Sequence, residues 1–276
     1  MKIVSWNTNS RSNKEILKRQ CDFLSQGNFD VITLQEITQT SQIFFKDYFK
    51  NAFVLSSFDL SKDLGLLKRK RKYGQIIISK IPCKALDPYR INIPFPERIL
   101  SVKHPEGFEI YTTHVPPGSS NGIVKVMHFE ELFKYLKNNQ KTKKILTGDF
   151  NSPKSELSNG EIITWGQKIT KAGNIKYGIN SKWKDDCTPE RWDAAERGII
   201  QNHHELGLID VFRKVNGYDA KAYSWYINRK NLQLGRRYDH IFCSDNLNPI
   251  SCEYIQEPRL QGLSDHSPVI SLLEIR

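Results

Sequence analysis

The feature that most constrains this chain is one it repeats: a short apolar run that stops on an acid, an amide or a histidine. Phe29-Asp30-Val31-Ile32-Thr33-Leu34-Gln35-Glu36 is one case, and Lys144-Ile145-Leu146-Thr147-Gly148-Asp149 is another. Tyr238-Asp239-His240-Ile241-Phe242 and Leu263-Ser264-Asp265-His266-Ser267-Pro268 put acids beside two more. Short apolar runs of this kind read as buried strands. They recur at residues 3–6, 31–34, 52–55, 75–79, 99–102, 108–113, 144–147, 238–243 and 268–273. Helical spacing falls between some of them. Residues 14–24 place Ile16, Leu17, Cys21 and Leu24 on one face, and residues 123–136 offer Val124, Met127, Phe129, Leu132, Phe133 and Leu136. A third helix is expected over 194–206, with Gly207 as its stop. Many strands with few, separated helices predict layered sheets with helices outside. One polar strand end means little, because strand ends are exposed. The same pattern several times over points to one pocket assembled from many strand ends.

No low-complexity segment or Pro/Gly/Ser-rich linker interrupts the 276 residues, so a single domain over 1–276 is expected. The formal net charge of +11 points to a polyanionic partner, nucleic acid first and an anionic membrane surface second. Cys21, Cys83, Cys187, Cys243 and Cys252 are scattered, and no pair has Cys-x-x-Cys spacing. That argues against a zinc knuckle and fits a reducing compartment. The first residues enter a strand-like run too polar for a secretory segment, and no run approaches a membrane span. A cytoplasmic protein without membrane contact, and a monomer, is expected.

Phosphodiester hydrolysis needs a specific set of parts. The phosphate is already anionic and repels hydroxide, so a hard cation must neutralise its oxygens. Mg²⁺ takes oxygen ligands and keeps several waters, so one or two carboxylates hold it. A base must orient and deprotonate the water, and a cationic or hydrogen-bonding group must hold the nonbridging oxygen. Residues of the right kinds sit at the strand ends: Trp6-Asn7-Thr8-Asn9, Gln35-Glu36, Thr113-His114-Val115-Pro116-Pro117-Gly118, Gly148-Asp149-Phe150-Asn151, Gly235-Arg236-Arg237-Tyr238-Asp239 and Ser264-Asp265-His266-Ser267-Pro268-Val269.

In this order, those motifs resemble the exonuclease III and apurinic/apyrimidinic endonuclease branch of the endonuclease/exonuclease/phosphatase superfamily. Tyr73-Gly74-Gln75-Ile76-Ile77-Ile78-Ser79, Cys187-Thr188-Pro189-Glu190-Arg191, residues 207–213 and Tyr223-Ser224-Trp225 resemble it as well, so the likeness spans essentially the whole chain. The resemblance implies an α/β fold, a four-layer α/β/β/α sandwich with two mixed sheets face to face. It implies Mg²⁺, with Mn²⁺ as the alternative, on Glu36 with Asn7 and Asp265 near the ion. Asp149 would activate the water and Asn151 would hold the phosphate. His266 would contact the nonbridging oxygen, with Asp239 fixing its tautomer. His114 would touch the phosphate or leaving group, and Asn9 would sit at the metal and phosphate edge, in contact with substrate.

Departures from the branch narrow the substrate. His114 stands where the branch commonly has Tyr, and resembles the pancreatic-deoxyribonuclease and sphingomyelinase branches instead. Pro117 stands where relatives often carry an amide. Arg236 replaces an apolar or aromatic residue that shapes the abasic-site pocket, and favours an extra phosphate contact. The expected function is therefore a Mg²⁺-dependent DNA nuclease, acting as an endonuclease, a 3′-exonuclease or both, with abasic-site repair as a narrower version. The alternatives are a phosphodiesterase or phosphatase for RNA or phospholipid head groups, and an inactive nucleic-acid-binding module. Lys68-Arg69-Lys70-Arg71-Lys72 is either a solvated loop or a phosphate contact. His203-His204 reads as a solvated face, and His240 as a structural residue on the opposite strand face from Asp239.

Overall fold

In the computed structural model, residues 1–179, 187–229 and 232–275 are described. The chain first lays down β1 (Lys2–Asn7), α1 (Lys14–Gln26), β2 (Val31–Ile37), α2 (Gln39–Tyr48), β3 (Phe53–Ser56) and β4 (Gly74–Ser79). It continues with β5 (Lys84–Ala85), β6 (Ile99–Lys103), β7 (Glu109–His114), α3 (Gly118–Asn121), α4 (Ile123–Asn138) and β8 (Lys144–Asp149). Two small ribbons follow, β9 (Ser155–Glu156) with β10 (Ile162–Ile163), and β11 (Gln167–Ile169) with β12 (Ile175–Tyr177). Then come α5 (Pro189–Ile200), β13 (Leu208–Asp210), α6 (Val211–Asn216) and the ribbon of β14 (Trp225–Arg229) with β15 (Leu232–Arg236). The chain closes with β16 (Asp239–Ser244), β17 (Leu247–Tyr254), α7 (Glu257–Leu260) and β18 (Val269–Ile275).

Two mixed six-stranded sheets result, ordered β17-β18-β1-β2-β4-β3 and β13-β16-β8-β7-β6-β5. Each is parallel at one central pair, β1 with β2 and β7 with β8, and antiparallel elsewhere. Successive strand side chains point to opposite faces, so strands apolar on both faces need cover on both. Three cores provide it. Ile3, Val31 and Ile77 of the first sheet pack against Leu100, Ile110, Ile145 and Ile241 of the second. Val4, Trp6, Ile32, Leu34, Ile76 and Ile78 face outward onto Leu17, Cys21, Leu24 and Phe45 of α1 and α2. Tyr111, Leu146 and Phe242 face outward onto Phe129, Leu132, Leu136, Trp192 and Ile199 of α4 and α5. The order helix, sheet, sheet, helix is the expected four-layer sandwich.

Each of the nine runs contributes a strand. The third helix differs from expectation: Thr188 caps it by accepting the Arg191 N–H, Pro189 opens it, and it ends at Ile200. Pro is suited to the first helical turn, so the start lies upstream of the apolar periodicity. A 3₁₀ turn at His203–Leu206 follows and stops at Gly207, whose φ is +65°. His203 is half-buried against Phe242, with ring centroids 5.4 Å apart, rather than on a solvated face. No helix among the described residues is long and apolar enough to cross a membrane.

Candidate active site

The site forms where the central strands of both sheets end together. β1 brings Asn7, β2 Glu36, β7 His114, β8 Asp149 and β16 Asp239, and the turn before β18 brings His266. Asp239 and Asp149 are direct cross-strand partners, as are His114 and Asp149. Gly148 makes the close approach of β7 and β8 fit: its φ is +137°, and a Cβ there would lie 1.9 Å from the Thr113 carbonyl oxygen.

Glu36 needs a special device. Strict alternation from Val31, Thr33 and Gln35 would send it to the helix side. The pairing of β2 with β4 shifts register between Leu34 and Ile37, and Glu36 itself has φ of +55°. A bulge re-aims a side chain, and a left-handed non-glycine residue at a functional position stores strain. Asn9, at φ +54°, and Asn151, at φ +50°, are two more such residues in the site.

The polar groups are tied closely. Asn7 donates its amide Nδ2–H to Asp149 Oδ2 at 2.9 Å and to Glu36 Oε1 at 3.2 Å. Its Oδ1 accepts the Asn9 backbone N–H at 2.9 Å. Asn7 thus braces the carboxylates, and Asn9 reaches the site through its backbone. The Asn151 N–H donates to Asp149 Oδ1 at 2.8 Å, and Asn151 Nδ2 donates to the Val115 carbonyl at 2.9 Å. His266 Nδ1 lies 2.7 Å from Asp239 Oδ2, and its Nε2 3.9 Å from Asp149 Oδ2. Ser264 Oγ–H, donating to the Asn7 carbonyl at 2.6 Å, fastens the Ser-Asp-His turn to β1.

Burial sets the electrostatics. It pushes Asp149, only 1 % exposed, up to about 7, with His266 opposing and Asp239 adding to the shift. It raises Glu36 too, against the pull of His266 and the Asn7 hydrogen bond. For His266, burial disfavours the cation, but Asp239 and Asp149 outweigh it and raise the imidazole to about 10. His266 is therefore an imidazolium that donates Nδ1–H to Asp239 and turns Nε2–H toward the cleft. His114 behaves oppositely. Burial and then the Arg98 charge hold it well below its usual value. Arg98 Nη1 donates to His114 Nδ1 at 2.6 Å, which leaves Nε2 protonated 3.5 Å from Glu36 Oε1 and 3.7 Å from Asp149 Oδ2.

One cavity of about 860 Å³ opens over this cluster, with Glu36, Asp149, Asn151, Arg236, Asp265 and His266 in its wall. Asp265 is exposed and accepts the Trp225 indole N–H at 3.1 Å. His114 and Asp239 lie fully buried behind that wall. Glu36, His114 and Asp149 each place a ligand atom within 4.8 Å of the others, as do Asp149, Asp239 and His266. The first fits a hard cation better. It offers two carboxylates, both raised by burial and so favoured by a nearby cation, whereas His266 in the second is already a cation.

Outside the motifs, Arg98 and Lys125 also belong to the site. Lys125, 1 % exposed, pairs with Glu196 at 2.7 Å and donates to the Asn151 carbonyl at 2.9 Å. His240 takes the other strand face, with Nε2 2.9 Å from the Ser152 carbonyl. In the basic run, Arg71 makes a bidentate pair with Glu97 at 2.9 and 2.8 Å, and the Lys70 carbonyl accepts Arg98. Lys68, Arg69, Lys70 and Lys72 remain exposed.

This constellation defines a class, the phosphoester-cleaving enzymes. More particularly, residues 4–266 match the model of the Endonuclease/Exonuclease/phosphatase family, and the chain belongs to that family. An exodeoxyribonuclease of Bacillus subtilis (strain 168) is 26 % identical over 296 residues, covering 100 % of both chains. Among solved structures, an AP endonuclease from Archaeoglobus fulgidus superposes with TM-score 0.71 at 21 % identity, over 100 % of each chain. A 3′ phosphatase from Neisseria, bound to a product DNA hairpin, gives 0.67 at 21 % identity over 99 % of each. These likenesses agree with the exonuclease III and AP endonuclease branch read from the motifs.

Proposed function

We propose that this chain is a divalent-metal-dependent DNA nuclease that hydrolyses phosphodiester bonds with an activated water. The observation carrying this reading is the meeting of Glu36, Asp149 and His266 at one cavity wall, with Asp239 behind His266. Glu36 is the residue that would hold Mg²⁺, or Mn²⁺, with Asn7 bracing it against Asp149. Asp265 stands at the rim of the same site. The ion, when bound, supplies positive charge to the phosphate oxygens. Asp149 accepts the proton of the attacking water, its carboxylate oriented by the Asn151 N–H. Nε2–H of the His266 imidazolium donates to a nonbridging oxygen as charge builds there, and Asp239 keeps that proton in place. His114, neutral and protonated on Nε2, donates toward the two carboxylates from behind the wall and meets the phosphate only through them. Asn151, Asn9 and Arg236 complete the substrate contacts.

The net charge of +11, Arg236 at the cavity and the exposed lysines of the basic run favour a polyanionic strand. DNA, rather than RNA, follows the relatives: one is an exodeoxyribonuclease, and one neighbour holds product DNA. A role in DNA repair, by abasic-site incision or 3′-end trimming, is the narrower form of the same reading.

The test is an activity panel on abasic duplex, intact duplex, single-stranded DNA, RNA and phospholipid head groups, with Mg²⁺ and with EDTA. Cleavage of at least one DNA substrate that EDTA abolishes is expected. Turnover of phospholipid or RNA alone, or undiminished activity in EDTA, would reject the proposal.

A further inference from the structure

The cavity over the acids has a second wall that hydrolysis of one phosphodiester does not require. Lys154 and Lys168 lie in it, beside Trp165. A single diester carries one negative charge, and the metal site and His266 already answer it. At about 860 Å³ the cavity also lies near the upper end for small-ligand sites.

Buried polar groups hold the segment that presents these lysines. Thr164 Oγ1–H donates to Asp193 Oδ1 at 2.6 Å, and the Trp165 N–H donates to Glu196 Oε2 at 3.0 Å. Gly166 lies so close to α5 that a Cβ would meet the Pro189 carbonyl oxygen at 2.4 Å. Lys154 Nζ donates to the Gln167 carbonyl at 2.9 Å and stands 5.8 Å from the Trp165 ring, within cation–π range. The stem of Lys168 crosses Gly178, where a Cβ would lie 3.0 Å from its Cδ. Freely solvated lysines need no such anchorage. The same Glu196 pairs with Lys125, which holds the Asn151 carbonyl, so the lysine wall and the hydrolytic turn share one buried anchor.

We propose that Lys154 and Lys168 form a flanking-phosphate subsite, which takes a non-scissile phosphate of a polynucleotide strand while the scissile one lies at Asp149 and His266. The inference rests on the nuclease reading and deepens it: the substrate is a chain of phosphates, not an isolated ester.

The test compares wild type, the double variant Lys154→Ala/Lys168→Ala and Lys168→Ala alone on a single-stranded DNA oligonucleotide and on bis(p-nitrophenyl) phosphate. The second substrate has one diester and no flanking phosphate. The double variant should raise KM for the oligonucleotide about tenfold, with a much smaller change on the small diester. The salt dependence of oligonucleotide binding should flatten by about 0.7 in log–log slope per lysine lost. Lys168→Ala should show the smaller half of the same pattern, and Lys154→Arg with Lys168→Arg should restore it. Equal losses on both substrates, or an unchanged KM and salt slope, would overturn the subsite. A wild-type enzyme that turns over the small diester but no polynucleotide would overturn the nuclease reading, and the subsite with it. A loss confined to the oligonucleotide supports both.

Discussion

The layer between the two sheets has two ends built from the same strands. At one end the inward-facing residues are Ile3, Val31, Ile110, Ile145 and Cys243, all in a single apolar cluster. Two residues further along each strand they are Ser5, Thr33, Thr112, Thr147 and Ile241, in matching register. Two residues further again they are Asn7, Gln35, His114, Asp149 and Asp239. The layer thus passes within three rungs from hydrocarbon, through hydroxyls beside Ile241, to amides and ionisable groups. The first rung is stabilised by burial of apolar area. The last carries the cost of buried charge, visible in the raised Asp149 and in Glu36 on the bulge beside it. A fold tolerates that cost at a functional site, where local rules are broken.

The largest expected effect lies at the charged end. Asp149→Asn and His266→Ala should each lower turnover by roughly 10²–10⁴-fold, the usual scale of general acid–base contributions, while circular dichroism shows the fold intact. Retained activity in both would erase the difference between the two ends. The opposite end should respond in the opposite way. Ile145→Ala should cost about 2–5 kcal/mol of unfolding free energy in urea, with turnover per folded molecule near that of wild type. A loss of turnover without a loss of stability would show that the apolar rung is part of the site.

A pH scan in EDTA sharpens the contrast. His266 is held at about 10 against an ordinary 6.5, and Asp149 at about 7 against 3.8. Both folded values lie above the unfolded ones, so between them the folded state binds more protons and stability falls as pH rises. The window runs from 3.8 to about 7 for Asp149 and from 6.5 to about 10 for His266. Across either window, stability changes by up to about 1.4 kcal/mol for every pH unit crossed. The urea midpoint should therefore decline across this range, and Asp239→Asn should flatten the upper part. A midpoint that climbs with pH would contradict the charge arrangement.

Sequence made the rungs legible because their period is two and apolar runs mark strands. It did not make Glu36 legible as an inward group, since the bulge that turns it depends on pairing with β4. Arg98 and Lys125 lie in none of the motifs that the sequence offers. Their burial depends on partners distant in sequence, the Lys70 carbonyl and His114 for one, Glu196 for the other. β17 escaped because Pro249 interrupts it, which an edge strand with a register shift tolerates.

The middle rung decides where the site ends. Thr147 Oγ1 lies 2.9 Å from Thr33 Oγ1 and 3.0 Å from the Tyr111 carbonyl, and Thr33 Oγ1 donates to the Val4 carbonyl at 3.2 Å. Thr147→Val keeps the shape and removes the hydroxyl, so it should cost only about 1 kcal/mol, the net worth of a neutral hydrogen bond. With Thr33→Val added, no hydroxyl of the pair is left without its partner, so the double variant should cost less than the sum of the singles. Turnover should stay within about threefold in all three, because neither hydroxyl meets the cavity wall. A drop approaching that of Asp149→Asn would extend the catalytic network one rung deeper. A stability loss on the scale of Ile145→Ala would instead make the middle rung part of the hydrophobic core.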